Sequence, residues 1–318
     1  MKLLIAYDGS RCSEAALDDL SRAGLPEVVE ALVISVAEVW LPPPHANESL
    51  HDYAIGLQTH PQFFKAHQTG AKAVTEAETL ACHAKMRLRR NFPKWNVQAE
   101  ATYGSPAWEI LSRANDFKPD LIVAGSHGHS VINRVLLGSI SQKILTEAHC
   151  SVRVARGRIE VDSFPVRVII GFDGSKGSQI AVEALAGRRW REESEFKLVA
   201  ATDPITPSAI GRFIPPVKHL VNEINESERD WIENMAAPSL QILKDAGLKA
   251  TLHMHAGNPK QVLVDEAEKW SADAIFVGAN RFGSRLERFL LGSVSAAVAA
   301  RAACSVEVVR KSVLEIPA

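Results

Sequence analysis

The sequence predicts an α/β protein of two tandem, doubly wound domains, each built around a five-stranded parallel sheet. Three observations carry this prediction. The first is a duplication. Lys2-Leu-Leu-Ile-Ala-Tyr-Asp8-Gly9-Ser10 matches Arg167-Val-Ile-Ile-Gly-Phe-Asp173-Gly174-Ser175, and Gly104-Ser-Pro106 matches Gly257-Asn-Pro259. Gly138, Cys150 and Arg156 then match Gly292, Cys304 and Arg310. Colinear matching over such a span means a duplicated domain rather than a short solenoid repeat. Second, short apolar runs alternate with helix-like segments inside each copy, the pattern of parallel βαβ units. Third, a glycine pattern follows the fourth apolar run of both copies.

The elements follow in order. In the first copy the expected strands are residues 3–7, 31–36, 97–102, 121–124 and 151–155; in the second they are 167–172, 197–201, 249–255, 274–277 and 305–309. The first and fourth of each set are nearly continuous apolar runs, as strands buried on both faces require. Helices are expected over 13–22, 68–90, 107–115 and 139–147, with Ser10 and Ser175 as N-caps after a tight strand-to-helix turn. Residues 157–165, charged and ending in a proline, read as the linker, so the domains are expected at 1–157 and 165–318. The first copy is twelve residues longer in its middle, within a stretch that includes His45, His51, His60 and His67 between residues 42 and 70. That stretch reads as a lid or partner surface rather than a zinc site, since no pair has tight ligand spacing. Pro42-Pro43-Pro44 and Pro215-Pro216 are expected to be stiff loop entries.

Bulk properties narrow the function. A chain of 318 residues with 46% hydrophobic residues can bury two sizeable cores. A formal net charge of −1 gives no field favouring nucleic acid or an anionic membrane, and no run approaches the apolar length of a membrane span. The opening apolar run stops at Asp8, too short for a signal peptide, and the four cysteines form no CxxC pair. A reducing cytoplasm is the expected compartment.

In an open parallel sheet, ligands bind beyond the carboxyl ends of the strands where the strand order reverses. Asp8 leaves the first strand there, and Gly125-Ser-His127-Gly128 leaves the fourth. After nine intervening residues Gly138-Ser139-Ile140-Ser141 opens a helix, whose N–H groups, dipole and serine hydroxyls suit an anion. Charge-assisted hydrogen bonds contribute about 1.5–3 kcal/mol each. A few of them, with base burial, reach the roughly 8 kcal/mol of a micromolar site. Asp8 repels bare phosphate, so its sensible partner is a ribose hydroxyl or a bridging Mg²⁺.

In these residues the chain resembles tandem universal stress proteins, with two UspA-type domains over nearly its whole length. ATP-binding members of that family carry Gly-x2-Gly-x9-Gly-[Ser/Thr], and Gly125, Gly128, Gly138 and Ser139 match it without a gap. The resemblance implies an adenine nucleotide alpha hydrolase-like fold. It further implies phosphate contacts at Gly128, Gly138, Ser139, Ile140 and Ser141, a nucleoside contact at Asp8 and backbone pairing with adenine near Val36. ATP with Mg²⁺ is the implied ligand, with Asp8 an indirect metal partner. The family's domains pair through their last strands, which implies an internal pseudo-two-fold dimer; a homodimer is a further expectation.

The second copy departs from the pattern. Asp173, Gly278, Gly292, Ser293, Val294 and Ser295 keep their places, but Arg281 stands where Gly128 stands and one residue is inserted before Gly292. An arginine forced to positive φ costs roughly 1–2 kcal/mol. The insertion changes where the loop directs its amides, although Gly283 or Arg281 itself offers a way to rescue it. An altered or empty second pocket is expected. His253 and His255 alternate on one strand face, which permits a metal pair, with a solvated face as the expectation. Cys150 and Cys304 read as small core residues.

No Gly-x4-Gly-Lys-[Ser/Thr] loop or kinase signature is present, and no residue stands out as a catalytic base beyond Asp8 or His127. The expected function is that of a nucleotide-dependent stress sensor or regulator rather than an enzyme. A slow ATPase or phosphotransfer enzyme, and an interaction protein without nucleotide, are the competing readings.

Overall fold

The computed structural model describes residues 1–39, 61–127, 137–156, 165–204, 215–279 and 291–311. Gly128, Arg281, Gly283, His45, His51, His60, Pro42-Pro43-Pro44 and most of the linker lie outside the described residues.

The first half runs β1 (Lys2–Ala6), α1 (Arg11–Asp19), β2 (Glu30–Ala37), α2 (Pro61–Asn91), β3 (Asn96–Tyr103), α3 (Pro106–Phe117), β4 (Leu121–Gly125), α4 (Ser139–Glu147) and β5 (Ser151–Ala155). The second half repeats it: β6 (Arg167–Gly171), α5 (Lys176–Ala186), β7 (Glu195–Thr202), α6 (Pro215–Asp245), β8 (Lys249–Ala256), α7 (Pro259–Lys269), β9 (Ala274–Gly278), α8 (Ser293–Arg301) and β10 (Ser305–Val309). All ten strands fall within a few residues of their expected positions. The segment expected as one helix over 13–22 is instead α1 followed by a 3₁₀ turn, Leu20–Arg22. Pro215 and Pro216 open α6 rather than a loop. The first helical turn needs no N–H from these positions, and proline's fixed φ already suits it.

Each half has the strand order of a doubly wound sheet, and together they form one ten-stranded sheet, β3-β2-β1-β4-β5-β10-β9-β6-β7-β8. The order reverses between β1 and β4, which pair in parallel with Leu4 beside Ile122, and again between β6 and β9. Period-two alternation assigns the faces. Leu4, Ile122, Val152, Val154, Val306 and Val308 belong to one apolar core shared by both halves. On the opposite face each half has its own core, with Leu3, Ile5 and Val123 in the first and Val168, Ile170 and Phe276 in the second. Cys150 and Cys304 are buried, and burial pushes the Cys150 thiol up to about 12.

β5 and β10 meet antiparallel, with Arg153 opposite Glu307. Both side chains are fully buried, on the sheet face opposite the shared apolar core. Arg153 Nε donates to Asp19 Oδ2 at 2.6 Å, and its Nη1 to Glu307 Oε2 at 3.3 Å. Arg188 Nη1 also donates to Glu307 Oε2, at 3.0 Å, and Ser305 Oγ to Asp19 Oδ1 at 2.7 Å. Burial works against the Arg153 charge, but Asp19 and then Glu307 outweigh it and hold the guanidinium protonated more firmly than usual. Removing one partner from such a cluster strands buried charge. Arg153→Met is therefore expected to cost about 3–5 kcal/mol, read as a fall in the urea unfolding midpoint of the full chain. An unchanged midpoint would show that the network is not holding the halves together.

Candidate functional site

The site begins where β1 ends. Asp8 Oδ1 accepts the Ser10 backbone N–H at 3.0 Å, Gly9 turns the chain at φ +75°, and Ser10 Oγ accepts from Ser13 N to cap α1. This sequence of bonds fixes the Asp8 carboxylate at the carboxyl edge of the sheet, beside the end of β4. Gly125 ends β4 there, and a Cβ on it would lie 2.8 Å from the Cys12 carbonyl carbon, so close helix–strand packing excludes a side chain.

Beyond the loop the chain returns through two ties. Gly138 N donates to Ser126 O at 2.9 Å, and Ser141 Oγ donates to Gly125 O at 2.7 Å. The Ser141 hydroxyl, read from sequence as an anion donor, thus gives its proton to the loop backbone. Gly138 is the N-cap of α4 and offers no side chain to cap it. The first N–H groups of a helix have no partner inside it, so those of α4 carry its positive dipole end to the site.

These elements enclose a crevice of about 450 Å³. Asp8, Val36, Gly125, His127 and the run Gly138, Ser139, Ile140 and Ser141 all line it. Every first-half residue expected at the site, apart from Gly128, is therefore brought to one cavity. Sequence reasoning missed the wall that α2 supplies through Ala73, Ala77 and Leu80. The signal is a pair of alanines one turn apart on the helix, which leaves the cavity its width.

His127 is 8% exposed. Its Nδ1 lies 3.1 Å from Ser126 Oγ, and its buried Nε2 has no hydrogen-bond partner among the described residues. Burial first, and the nearby Arg156 charge second, hold its pKa below the ordinary value. Arg156 Nη2 donates to Ala299 O of α8 at 2.7 Å, while its buried Nε and Nη1 have no partner among the described residues.

The second half repeats the frame at smaller size. Asp173 Oδ1 accepts from Ser175 N, Ser295 Oγ donates to Gly278 O, and Gly292 begins α8 without a side-chain cap. Asp173, Gly278, Gly292, Ser293, Val294 and Ser295 line a crevice of about 130 Å³. Helix α6 carries bulkier side chains at the places where α2 lines the first crevice. A Cβ on Gly9 would meet Leu80 and one on Gly174 would meet Met235, which sets the two helices in register. Ile232 then stands where Ala77 stands, and Glu228 where Ala73 stands. Glu228 reaches across to accept the Asp203 N–H at 3.4 Å. The β9 end is also tighter, since a Cβ on Gly278 would lie 2.1 Å from Gly177.

Fold and site together define a duplicated α/β protein with a crevice at each switch point of its sheet. The model of the universal stress protein family matches residues 1–156 and again 166–310, and the chain belongs to that family. It is 26% identical over 318 residues to universal stress protein Rv2005c of Mycobacterium tuberculosis, covering 98% of this chain and 97% of the relative. It is 30% identical over 163 residues to universal stress protein YxiE of Bacillus subtilis, covering 49% of this chain and 98% of that protein. Among solved structures, a universal stress protein from Archaeoglobus fulgidus matches with a TM-score of 0.58 at 19% identity, over 97% of this chain and 98% of that one.

The depressed His127 pKa sets a sign for pH dependence. The unfolded chain takes up this proton near the ordinary value of 6.5, before the folded chain does. Stability is therefore kept above that value and lost as pH falls through it toward the folded pKa. Thermal melts from about pH 7.5 to about pH 5 should show a smaller acid-induced fall in Tm for His127→Gln than for the unaltered chain. Equal falls would refute the assignment.

Proposed function

We propose that the first crevice binds an adenine nucleotide, ATP with Mg²⁺, and that the chain acts in the cytoplasm as a nucleotide-dependent sensor or regulator of stress response. One observation carries this reading: a cavity of about 450 Å³ that joins an uncapped helix N-terminus to a fixed carboxylate. Small-ligand pockets span about 300–1,000 Å³, and the second crevice falls below that range.

The polar groups divide by charge. The N–H groups at Ser139, Ile140 and Ser141 suit phosphate oxygens. Asp8 suits a ribose hydroxyl, or Mg²⁺ through water, and the end of β2 at Val36 suits the adenine edge. In the tautomer whose Nδ1 accepts from Ser126, His127 carries its proton on Nε2. That atom fits an acceptor oxygen, because a buried N–H without one costs about 1–3 kcal/mol. The second half then serves as a paralogous partner with a narrowed pocket, the two halves forming an internal dimer.

Titration of the full chain with ATP and Mg²⁺ should give one nucleotide per chain. Ala77→Ile, which copies the second half's residue into the first crevice, should weaken binding by at least about tenfold, near 1.4 kcal/mol, with the circular dichroism spectrum unchanged. Gly138→Asp, which sets a carboxylate where phosphate is expected, should abolish it. Two nucleotides per chain would overturn the assignment to one half, and unaltered affinity in both variants would overturn the site. Steady turnover of ATP lost in Asp8→Ala with binding retained would favour the enzyme reading.

A further inference from the structure

A second cluster lies on the far side of the second half. His253 and His255 are two apart on β8 and so share one face of the strand, their rings 6.4 Å apart and inclined by 12°. Helix α7 lays Glu266 against that face, with Glu266 Oε2 3.4 Å from His255 Nε2. One donor atom from each of the three residues lies within 4.8 Å of the others. Glu266 is buried, and its other oxygen accepts Lys197 Nζ at 2.7 Å. His255 Nε2 is buried with no hydrogen bond among the described residues. His253 Nε2 stands 3.0 Å from the Thr251 hydroxyl, which can rotate away. The face expected from sequence to be merely solvated is therefore half-buried and paired with a carboxylate.

The duplication shows what this place holds otherwise. In the register set by Gly104 and Gly257, His253 stands at Glu100, His255 at Thr102 and Glu266 at Arg113. The first half closes the gap with an ordinary ion pair, Arg113 Nε to Glu100 Oε2 at 2.8 Å. The second half has exchanged the cation for a carboxylate and set two imidazoles before it. That exchange removes the arginine–glutamate pair and sets two imidazoles before one Glu266 oxygen, while Lys197 holds the other.

We propose that His253, His255 and Glu266 form a binding site for a divalent transition-metal ion of the zinc class, particular to the second half. Two imidazoles and a carboxylate are a known zinc ligand set, with a fourth position left for water. With metal–ligand bonds of about 2.0–2.2 Å, neighbouring ligands of a tetrahedral ion sit about 3.3–3.5 Å apart, the spacing of His255 Nε2 and Glu266 Oε2. Imidazole nitrogen selects zinc, copper or nickel over magnesium and calcium. Lys197 is the opposing charge. It holds one Glu266 oxygen and leaves the other for the ion, and its ammonium also lies 4.3 Å from the Trp270 ring centroid. Its repulsion sets the expected affinity in the micromolar range. Pro259 and Leu263 of α7 line the second crevice. An ion joining β8 to Glu266, one turn beyond Leu263, would fasten that wall.

The test uses the full chain, freed of metal, with zinc chloride in calorimetry and cobalt(II) in visible absorption. One ion per chain should bind, with ligand-field bands of a tetrahedral nitrogen–oxygen site and a rise in Tm. His255→Ala keeps the Lys197–Glu266 pair and should lower the affinity by at least about tenfold; Glu266→Gln should do the same. Binding should also weaken in acid, because a metal-ligating imidazole must be neutral and protons compete with the ion for its nitrogen. The remaining histidines and the thiols are unchanged in both variants. Equal uptake by His255→Ala and the unaltered chain, or cobalt bands of thiolate ligation, would place the ion elsewhere and overturn the proposal. So would no uptake at about 100 µM zinc.

Discussion

The antiparallel junction of β5 with β10 is the constraint on which the rest of the molecule depends. On one face its valines join a core common to both halves, and on the other it buries Arg153 against Glu307. These two residues occupy equivalent positions of the duplicated unit, yet they carry opposite charge. Pairing two copies of the first half through this strand would set Arg153 against Arg153, and two copies of the second would set Glu307 against Glu307. Like charges without water between them are strongly unfavourable. The duplication has thus been made directional, and each half accepts the other rather than itself. Asp19 and Arg188, which complete the network, have no such counterparts: Ala184 and Ala23 stand at their places in the opposite half.

The same junction holds the two helices that open on the crevices. Arg310 Nη2 donates to Leu145 O near the end of α4, and Arg156 Nη2 donates to Ala299 O near the end of α8. Each helix is therefore gripped at its carboxyl end by an arginine from the other half, where a cation complements the helix dipole. Its amino end is left uncapped toward a crevice. The position of the donors at each site depends on the half that does not contain it.

Much of this was legible in the sequence, and the reason is periodicity. Leu3 to Ile5 and Leu121 to Val123 are apolar because β1 and β4 are covered on both faces, so the runs announce central strands without any knowledge of the rest. Asp8, Gly125 and Gly138 were legible because a tight turn and a close helix–strand approach restrict which residues can serve. Three features were not legible. Ala77 lines the wider crevice and the bulkier Ile232 takes its place in the second half, but their correspondence emerges only when α2 and α6 are set in register across the length difference. Asp19 and Arg188 look like ordinary helix-surface charges until the two halves are brought together. Glu266 is eleven residues beyond His255, and only the return of α7 over β8 makes them neighbours.

The two halves also differ in how completely they satisfy their own polar atoms. Arg310 and Arg156 are equivalents, yet only Arg156 leaves Nε and Nη1 buried and without partners among the described residues. His127 beside it leaves Nε2 in the same condition. Each such atom costs about 1–3 kcal/mol when nothing replaces the water it has lost. A fold that needed only a tight turn after β4 would gain by removing them, and His127 in particular could give way to a small residue. Their concentration behind one loop, next to the wider crevice and absent from the equivalent Arg310, supports the reading that the first half is shaped around an acceptor-rich ligand. In the second half, with its narrower pocket, the one such atom among the described residues lies elsewhere, at His255 Nε2 on β8.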